Sequence, residues 1–299
     1  MKTVIIGANS YIARNMIRVN QIHQYSEVKL FDCGLKQLDN APNYHSLTMS
    51  LQSDIEESIN GADLIYFFVG KTGTMQGFED PELFLKVNEG FLFSLLNAYR
   101  AVHSTAKIIF PSTRLVYRGD SRALNEDSEK QFLTPYAIQK FACEQYLNMY
   151  HELFGVNYCI LRIGVPYGTL VHPVSSYGTL EFFIKQAKEF RKISVFGDGK
   201  QKRTFTFIED LCHILWKAGL TCQCINDVYN IGGEALSIRE VAEKVAYATK
   251  AIIAENPWPH DFNKIESGDT VFDSRKLDCL LGNIYSMTVD RWLGENDIR

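Results

Sequence analysis

Short apolar segments alternate with amphipathic helices through the first half of this 299-residue chain. The apolar segments are rich in β-branched and aromatic residues, which is typical of strands buried on both faces. We predict strands at residues 2–6, 28–31, 47–51, 63–69, 107–111 and 156–163, and helices at 11–19, 81–102 and 135–154. Strands that alternate with helices form parallel pairs with right-handed crossovers. The chain is therefore predicted to fold as a doubly wound parallel α/β sheet.

The alternation changes near residue 168, where shorter elements follow one another. Here we predict helices at residues 178–191, 208–220 and 238–249, with strands at 194–197 and 228–231. Residues 1–167 are expected to form the first domain, with parts of the later chain crossing back into it. Residues 168–299 are expected to form a smaller C-terminal α/β lobe.

Composition excludes several classes of protein. The net charge of −4 gives no basic surface for nucleic acid. No charged leader or long apolar run is present, so neither a signal peptide nor a membrane partner is expected. The seven cysteines lack a Cys-x-x-Cys pair, which favours free thiols in the cytoplasm. The histidines show no ligand spacing, so no metal site is expected.

The segment from Gly7 to Ala13 joins the first strand to the first helix. Such a turn needs glycine for its backbone angles and small residues where the main chain meets a pyrophosphate. Ser10 and Ala13 stand where further glycines are expected, and both are small. This placement predicts a dinucleotide site, with an ordinary strand-to-helix turn as the alternative. The predicted contacts are Gly7, Asn9, Ser10, Tyr11 and Ile12.

Asp32 ends the second predicted strand. A carboxylate there can accept hydrogen bonds from a ribose diol, and it repels a 2′-phosphate. The nearest basic residue is Lys36, so NAD is favoured over NADP as the cofactor. The alternative is a solvated turn residue. Asp54 and Ile55 are predicted to contact the adenine edge, with a capping role for Asp54 as the alternative.

Tyr136 and Lys140 are four positions apart in a predicted helix. Side chains at this spacing share one helix face. A nearby ammonium favours the phenolate, so the pair can move a proton on and off a hydroxyl group. The alternative is a packed ring beside a solvated charge. Ser112 and Thr113 end the fifth predicted strand, at the sheet edge where ligands bind.

These motifs occur in an order that resembles the extended short-chain dehydrogenase/reductases of the NAD-dependent epimerase/dehydratase family, which act on nucleotide sugars. Further similar segments lie at residues 63–70, 87–90, 161–168 and 197–210. The resemblance implies a Rossmann-type fold that binds NAD in residues 1–167. It also implies a substrate-binding lobe in residues 168–299.

The resemblance also implies roles for individual residues. Tyr136 is the catalytic acid or base, and Lys140 lowers its pKa and holds the nicotinamide ribose. Thr113 hydrogen-bonds the reacting oxygen, and Arg203 clamps the phosphates of the nucleotide. Asp210 is expected to bind its own loop. Further cofactor contacts are implied at Val69, Gly70, Lys71 and Asn88. Substrate contacts are implied at Ser112, Thr113, Val165, Arg203 and Arg275.

Two departures from the family pattern narrow the reaction. Leu115 occupies the position where the sugar dehydratases carry an acid, so dehydration is disfavoured. Val165 replaces an asparagine that helps to hold the sugar. We therefore predict an NAD-dependent nucleotide-sugar epimerase that works through a keto intermediate. One alternative is an NAD(P)H-dependent 4-keto-sugar reductase. An alternative of another class is a non-catalytic dinucleotide-binding sensor.

The resemblance further implies a homodimer of paired helices and a place in polysaccharide biosynthesis. A broad apolar surface on the predicted helix 81–102 would pair with apolar residues on the helix that carries Tyr136. The alternative is that the apolar residues of this surface belong to the hydrophobic core of one chain. The residues of this surface are Phe91, Phe93, Leu95, Leu96 and Tyr99.

Overall fold

The computed structural model describes residues 1–33, 43–171 and 178–296. Its strands in these ranges are β1 (Lys2–Ile6), β2 (Glu27–Asp32), β3 (Tyr44–Ser46), β4 (Leu64–Phe67), β5 (Lys107–Thr113), β6 (Asn157–Ile163), β7 (Val165–Tyr167), β8 (Lys192–Phe196), β9 (Lys202–Phe207), β10 (Asp227–Asn230), β11 (Glu234–Ser237) and β12 (Ile252–Asn256).

The α-helices in the same ranges are α1 (Tyr11–His23), α2 (Gln52–Ile59), α3 (Gln76–Glu79), α4 (Pro81–Leu85), α5 (Phe91–Ala101), α6 (Pro135–Phe154), α7 (Thr179–Phe190), α8 (Ile208–Leu220), α9 (Ile238–Thr249), α10 (His260–Lys264), α11 (Arg275–Leu281) and α12 (Val289–Glu295). A π-helical segment, Lys86–Gly90, joins α4 to α5, and a 3₁₀ turn, Arg114–Val116, follows β5.

Seven parallel strands form the central sheet in the order β10-β6-β5-β4-β1-β2-β3. This sheet confirms the predicted doubly wound α/β class. The strand order reverses at β1, so a crevice opens beyond the carboxyl ends of β1 and β4. Successive side chains of β1 enter opposite core layers, with Ile5 in the layer that holds α1 and α8 and Ile6 in the layer that holds α2 and α5.

Two smaller sheets lie outside the central sheet. One has the order β11-β9-β7, with β9 and β11 antiparallel, and the other pairs β12 with β8. The last strand of the central sheet, β10, lies after residue 168 and pairs with β6. Part of the chain after residue 168 therefore contributes to the central sheet.

Local signals predicted some elements more accurately than others. Helix α9 has the predicted capping box, in which Ser237 and Glu240 each bond the other's backbone N–H. The strand predicted at residues 47–51 lies earlier, at Tyr44–Ser46. The physical reason is that Leu47 and Met49 are buried while their neighbours are exposed, which imitates the alternation of a strand.

The described residues include no helix that is both long enough and apolar enough to cross a membrane. The cysteines are all free. Four of them are buried, whereas Cys33, Cys222 and Cys279 are exposed.

Glu181 in the first turn of α7 is a buried carboxyl group that makes stability depend on pH. Its Oε1 accepts a hydrogen bond from the Gly168 N–H at 2.5 Å, and burial raises its pKa from 4.5 to about 7. Between pH 4.5 and about pH 7, Glu181 keeps its proton in the folded chain, whereas in the unfolded chain it has lost it. The free energy of unfolding therefore falls as pH rises through this range.

We expect Glu181→Gln to remove this fall and to make the protein more stable by about 3 kcal/mol at pH 8. Chemical denaturation at pH 5 and pH 8 measures the effect. Glu189→Gln, at an exposed position of the same helix, is the matched control. Identical pH profiles for wild type and Glu181→Gln would contradict the prediction.

Candidate active site

The turn after β1 is closely packed against the end of β4. Gly7 has φ of +85°, and an added Cβ would lie 2.6 Å from the carbonyl carbon of Phe68. Only glycine fits such a position. The Ser10 hydroxyl caps α1 by accepting a hydrogen bond from the Ala13 N–H at 3.3 Å. The chain thus directs the N-terminus of α1 and its positive dipole end into the crevice.

Asp32 at the end of β2 holds this turn in place. Its Oδ2 accepts from the Asn9 N–H at 2.8 Å and its Oδ1 from the Cys33 N–H at 2.7 Å. A carboxylate offers about four lone-pair positions, so each of its oxygens can accept more than one hydrogen bond. Its charge at this position fits NAD. Lys36 lies outside the described residues.

A cavity of about 340 Å³ opens beside this turn. We call it the cofactor cavity. Eight of the predicted site residues line it: Ser10, Tyr11, Ile12, Gly70, Ser112, Thr113, Tyr136 and Lys140. The sequence prediction did not include Phe68, Thr72, Pro111, Ile163, Gly164 and Pro166, which also line it. Most of these are apolar or small residues with no chemical signature in a sequence.

Lys140 is buried one helical turn after Tyr136 in α6. Its Nζ donates to the Pro111 carbonyl at 2.8 Å and lies 6.0 Å from the centroid of the Tyr136 ring. Burial lowers the Lys140 pKa to about 8, so the ammonium form still predominates at pH 7. The pair therefore has the predicted common face, with a positive charge close to the phenol.

Ser112 and Thr113 point in opposite directions, as neighbours on a strand must. The Ser112 hydroxyl donates to the buried Glu144, although Ser112 also lines the cofactor cavity. Thr113 lines both the cofactor cavity and the next one. Its Oγ1 accepts from the Leu115 N–H at 3.2 Å. Thr113 is therefore the member of the pair placed to meet a substrate oxygen.

A buried ion pair supports the strands and the helix behind the site. The Arg162 guanidinium donates to both carboxylate oxygens of Glu144, at 3.0 and 2.6 Å. It also donates to the Tyr117 hydroxyl at 2.6 Å, which in turn donates to Asn230 at 2.7 Å. Because Glu144 lies one turn after Lys140, this network fixes α6 against β5 and β6.

Asn88 in the π-helical segment positions the loop after β4. Its Oδ1 accepts from the Lys71 N–H at 2.7 Å, and its Nδ2 donates to Gln139 at 2.8 Å. These hydrogen bonds use the amide group of Asn88. The role of Asn88 is therefore to hold Gly70 close to Lys140. Val69, Lys71 and Asn88 do not line the cofactor cavity, and their contacts with the cofactor stay predictions. Irregular π turns occur frequently at functional sites.

A second cavity, of about 620 Å³, adjoins the first. We call it the lobe cavity, because α7, β8 and residues 258–266 form much of its wall. The two cavities share Thr72, Thr113, Tyr136, Gly164 and Pro166. Val165 lines the lobe cavity as predicted, but as an apolar side chain it offers no hydrogen bond. Tyr136 and Thr113 thus lie where a cofactor and a substrate would meet.

Two arginines and one glutamate cluster in the wall of the lobe cavity. Arg203 is buried, and it donates to the carbonyl of Lys202 at 2.9 Å and to the carboxylate of Glu266. Arg114 donates to the Ser267 and Thr270 hydroxyls at 3.4 and 3.2 Å. Burial, and then the charge of Arg203, lowers the Arg114 pKa to about 9. The cluster carries an excess of positive charge at neutral pH.

Arg114 and Glu266 are functional candidates that the sequence prediction omitted. The only available signal for Arg114 is its position directly after Thr113. Nothing near Glu266 in the sequence indicates its contact with Arg203.

Asp54, Ile55 and Arg275 also lie outside both cavities. Arg275 is exposed and bends back onto Asp273, 2.5 Å away, so a phosphate contact is not supported. Asp54 lies in the first turn of α2, and the Ile55 side chain is fully buried in the core. The segment that directly follows β3 is residues 47–51, so the predicted adenine contact of Asp54 and Ile55 is separated from the end of β3.

Asp210 is structural, although it does not bind its own loop. Its carboxylate accepts from the Ser286 N–H at 2.9 Å and from the Ser286 hydroxyl at 2.6 Å. It thereby ties the start of α8 to the chain before α12.

The Gly7 turn, Asp32 and the group formed by Thr113, Tyr136 and Lys140 define an extended short-chain dehydrogenase/reductase. A family model described as the NAD dependent epimerase/dehydratase family matches residues 3–232. The match covers well over half of the chain, so the protein belongs to this family, and NAD is its cofactor.

Individual relatives are distant. The chain is 27% identical over 264 residues to an uncharacterised UDP-glucose epimerase of Bacillus subtilis (strain 168), covering 82% of this chain and 81% of that protein. It is 26% identical over 204 residues to a putative UDP-glucose 4-epimerase of Methanocaldococcus jannaschii, covering 65% of this chain and 64% of that protein.

The fold agrees with solved structures. The UDP-glucose 4-epimerase of Thermus thermophilus, crystallised with NAD, superposes with a TM-score of 0.84 at 21% identity. The superposition covers 98% of this chain and 96% of that one.

Proposed function

We propose that the protein is an NAD-dependent nucleotide-sugar epimerase, which inverts one sugar carbinol through a keto intermediate. The observation that carries the proposal is the placement of Thr113, Tyr136 and Lys140 where the two cavities meet. The relatives named as UDP-glucose epimerases support the same reaction.

The residues fit NAD by their chemistry. The N-terminus of α1 would hold the pyrophosphate, Asp32 the adenosine ribose and Lys140 the nicotinamide ribose. When bound, NAD supplies the acceptor and donor of hydride. Tyr136 removes the proton from the sugar hydroxyl and later returns it to the same oxygen. Thr113 donates a hydrogen bond to that oxygen, and the Lys140 ammonium stabilises the Tyr136 phenolate.

Among the described residues, the lobe cavity lacks a free acid for removing water from the sugar. The carboxylic acid that lines it is Glu266, which is paired with Arg203. Leu115 lines the cavity at the position where dehydratases carry an acid. Loss of a hydroxyl group needs a proton donor at the leaving oxygen. These side chains therefore favour epimerisation over dehydration.

The lobe cavity has the chemistry to hold a nucleotide diphosphate. The rings of Phe196 and Trp258 lie 5.7 Å apart in its wall and offer apolar surface to a base. Arg203 and Arg114 provide guanidinium groups for the diphosphate. We propose a nucleotide-diphospho sugar as the substrate on this basis.

Glu266 competes with a diphosphate for Arg203. The carboxylate occupies the guanidinium donors that would otherwise face the phosphates. We expect Glu266→Gln to bind UDP about tenfold more tightly, equivalent to about 1.4 kcal/mol. Isothermal titration with UDP measures the change. Glu255→Gln, which removes an exposed partner of Arg239, is the control and should bind as wild type. Unchanged or weaker binding in Glu266→Gln would refute this role.

The nucleotide released from the purified protein tests the cofactor and the reaction together. We expect mass spectrometry of the denatured protein to find NAD retained by the enzyme. An epimerase restores its cofactor in every cycle, whereas a reductase consumes NAD(P)H. A strict requirement for added NADPH would overturn the epimerase proposal in favour of the reductase.

We also propose a homodimer in which α5 and α6 pair with their copies. Leu95, Leu96 and Tyr99 are buried in the core, so they cannot form the interface. Its exposed apolar residues come mainly from α6: Ile138, Met149, Leu153 and Phe154. Light scattering after gel filtration tests the dimer through its mass.

A further inference from the structure

Three side chains with metal-binding atoms meet where α1 packs on α8. His23 ends α1, and Glu209 and His213 lie one turn apart on α8. Their nearest ligand atoms all lie within 4.8 Å of one another. None of the three lines the cofactor cavity or the lobe cavity. The cluster is therefore separate from the candidate active site.

The fold organises these three residues before any ion arrives. Glu209 and His213 are four positions apart, so they share one face of α8. The centroids of the His23 and His213 rings lie 4.8 Å apart, with their planes at 78°. A hydrogen bond fixes the orientation of the His213 ring, because the Tyr25 hydroxyl lies 2.8 Å from its Nδ1. This hydrogen bond leaves Nε2 of His213 as the nitrogen available for coordination.

The donor set selects the kind of ion. Two imidazoles and one carboxylate suit zinc, whereas magnesium and calcium prefer oxygen ligands throughout. Ligand atoms around a tetrahedral zinc ion lie about 3.3 Å apart, as follows from bonds of about 2.0 Å. His23 is exposed and Glu209 is half-buried, so both side chains are free to rotate toward this spacing when an ion binds.

We propose that His23, Glu209 and His213 form a zinc site, with water as the fourth ligand. The ion would cross-link the end of α1 to α8. Its role would be structural, because the chemistry takes place at the opposite end of α1. The expectation of no metal site came from spacing along the chain, which cannot show that His23 meets two residues of a distant helix.

Zinc binding to the chelator-treated, NAD-loaded protein tests this site. We expect one ion per chain with a micromolar or lower dissociation constant, measured by competition with a chromophoric chelator. Magnesium should not compete. Because the ion binds the folded state, saturating zinc should raise the Tm by roughly 5 °C. Turnover of the sugar substrate should be unchanged by zinc.

Variants separate this site from adventitious surface binding. Glu209→Gln keeps the shape of the side chain, and it should weaken zinc binding at least tenfold without unfolding the protein. His213→Ala should abolish binding and the Tm shift. His260→Ala, which removes an exposed histidine beside Asp261, should behave as wild type. Equal zinc affinity in wild type and both cluster variants would overturn the proposal, and so would wild-type binding weaker than millimolar.

Discussion

Tyr136→Phe is expected to lower kcat about 1,000-fold while leaving NAD binding intact. The phenol is the group placed to exchange a proton with the sugar, and positioned acid–base catalysis contributes about 10²- to 10⁴-fold. The ring itself remains, so the walls of both cavities are preserved. The measurement is steady-state turnover of an active nucleotide sugar, with NAD binding followed by fluorescence.

Tyr146→Phe is the matched control for this change. Tyr146 lies in the same helix, and its hydroxyl donates to Glu89 at 3.0 Å, away from both cavities. It should retain the wild-type rate. If Tyr136→Phe also turned over at the wild-type rate, Tyr136 would not be the catalytic acid or base. A wild type that binds NAD and converts no nucleotide sugar would instead support a non-catalytic dinucleotide sensor.

Glu144→Ala is expected to lower the free energy of unfolding by about 3–5 kcal/mol, more than any other substitution considered. Arg162 and Glu144 are almost wholly buried and joined by two hydrogen bonds. Removal of the carboxylate leaves a buried guanidinium without its counter-charge. Ser112 also loses its acceptor. Chemical denaturation of wild type and variant measures the difference in the free energy of unfolding.

The control for this prediction is Glu152→Ala, at an exposed position of the same helix. It should change the free energy of unfolding by less than about 0.5 kcal/mol. A loss in Glu144→Ala as small as that would show that the buried pair contributes little to holding α6 on the sheet.

Local patterns in the sequence were sufficient for much of the fold. The alternation of strands and helices predicted the parallel sheet, because each buried strand leaves a continuous apolar run. Helix α8 lies at the predicted bounds, Ile208–Leu220. The spacing of Tyr136 and Lys140 predicted their common face, since that geometry is set within one helical turn.

Contacts between distant segments could not be predicted in this way. Glu266 reaches Arg203 only because residues after α10 fold back over β9, through a bridge between Arg203 and Thr270. Ser112 and Thr113 both line the cofactor cavity, but only Thr113 also lines the lobe cavity. This difference depends on the direction of the strand at its end. His23 meets α8 only through the packing of two helices on one face of the sheet.

The measurement that tests the central claim most directly is product analysis without added cofactor. Purified enzyme, with the NAD it retains, is incubated with single nucleotide-diphospho sugars, and each product is identified by mass and by NMR. We expect one sugar to reach an equilibrium with an isomer of the same mass, inverted at one carbon. Loss of water from the product would contradict the account, and so would conversion that stops unless NAD(P)H is supplied.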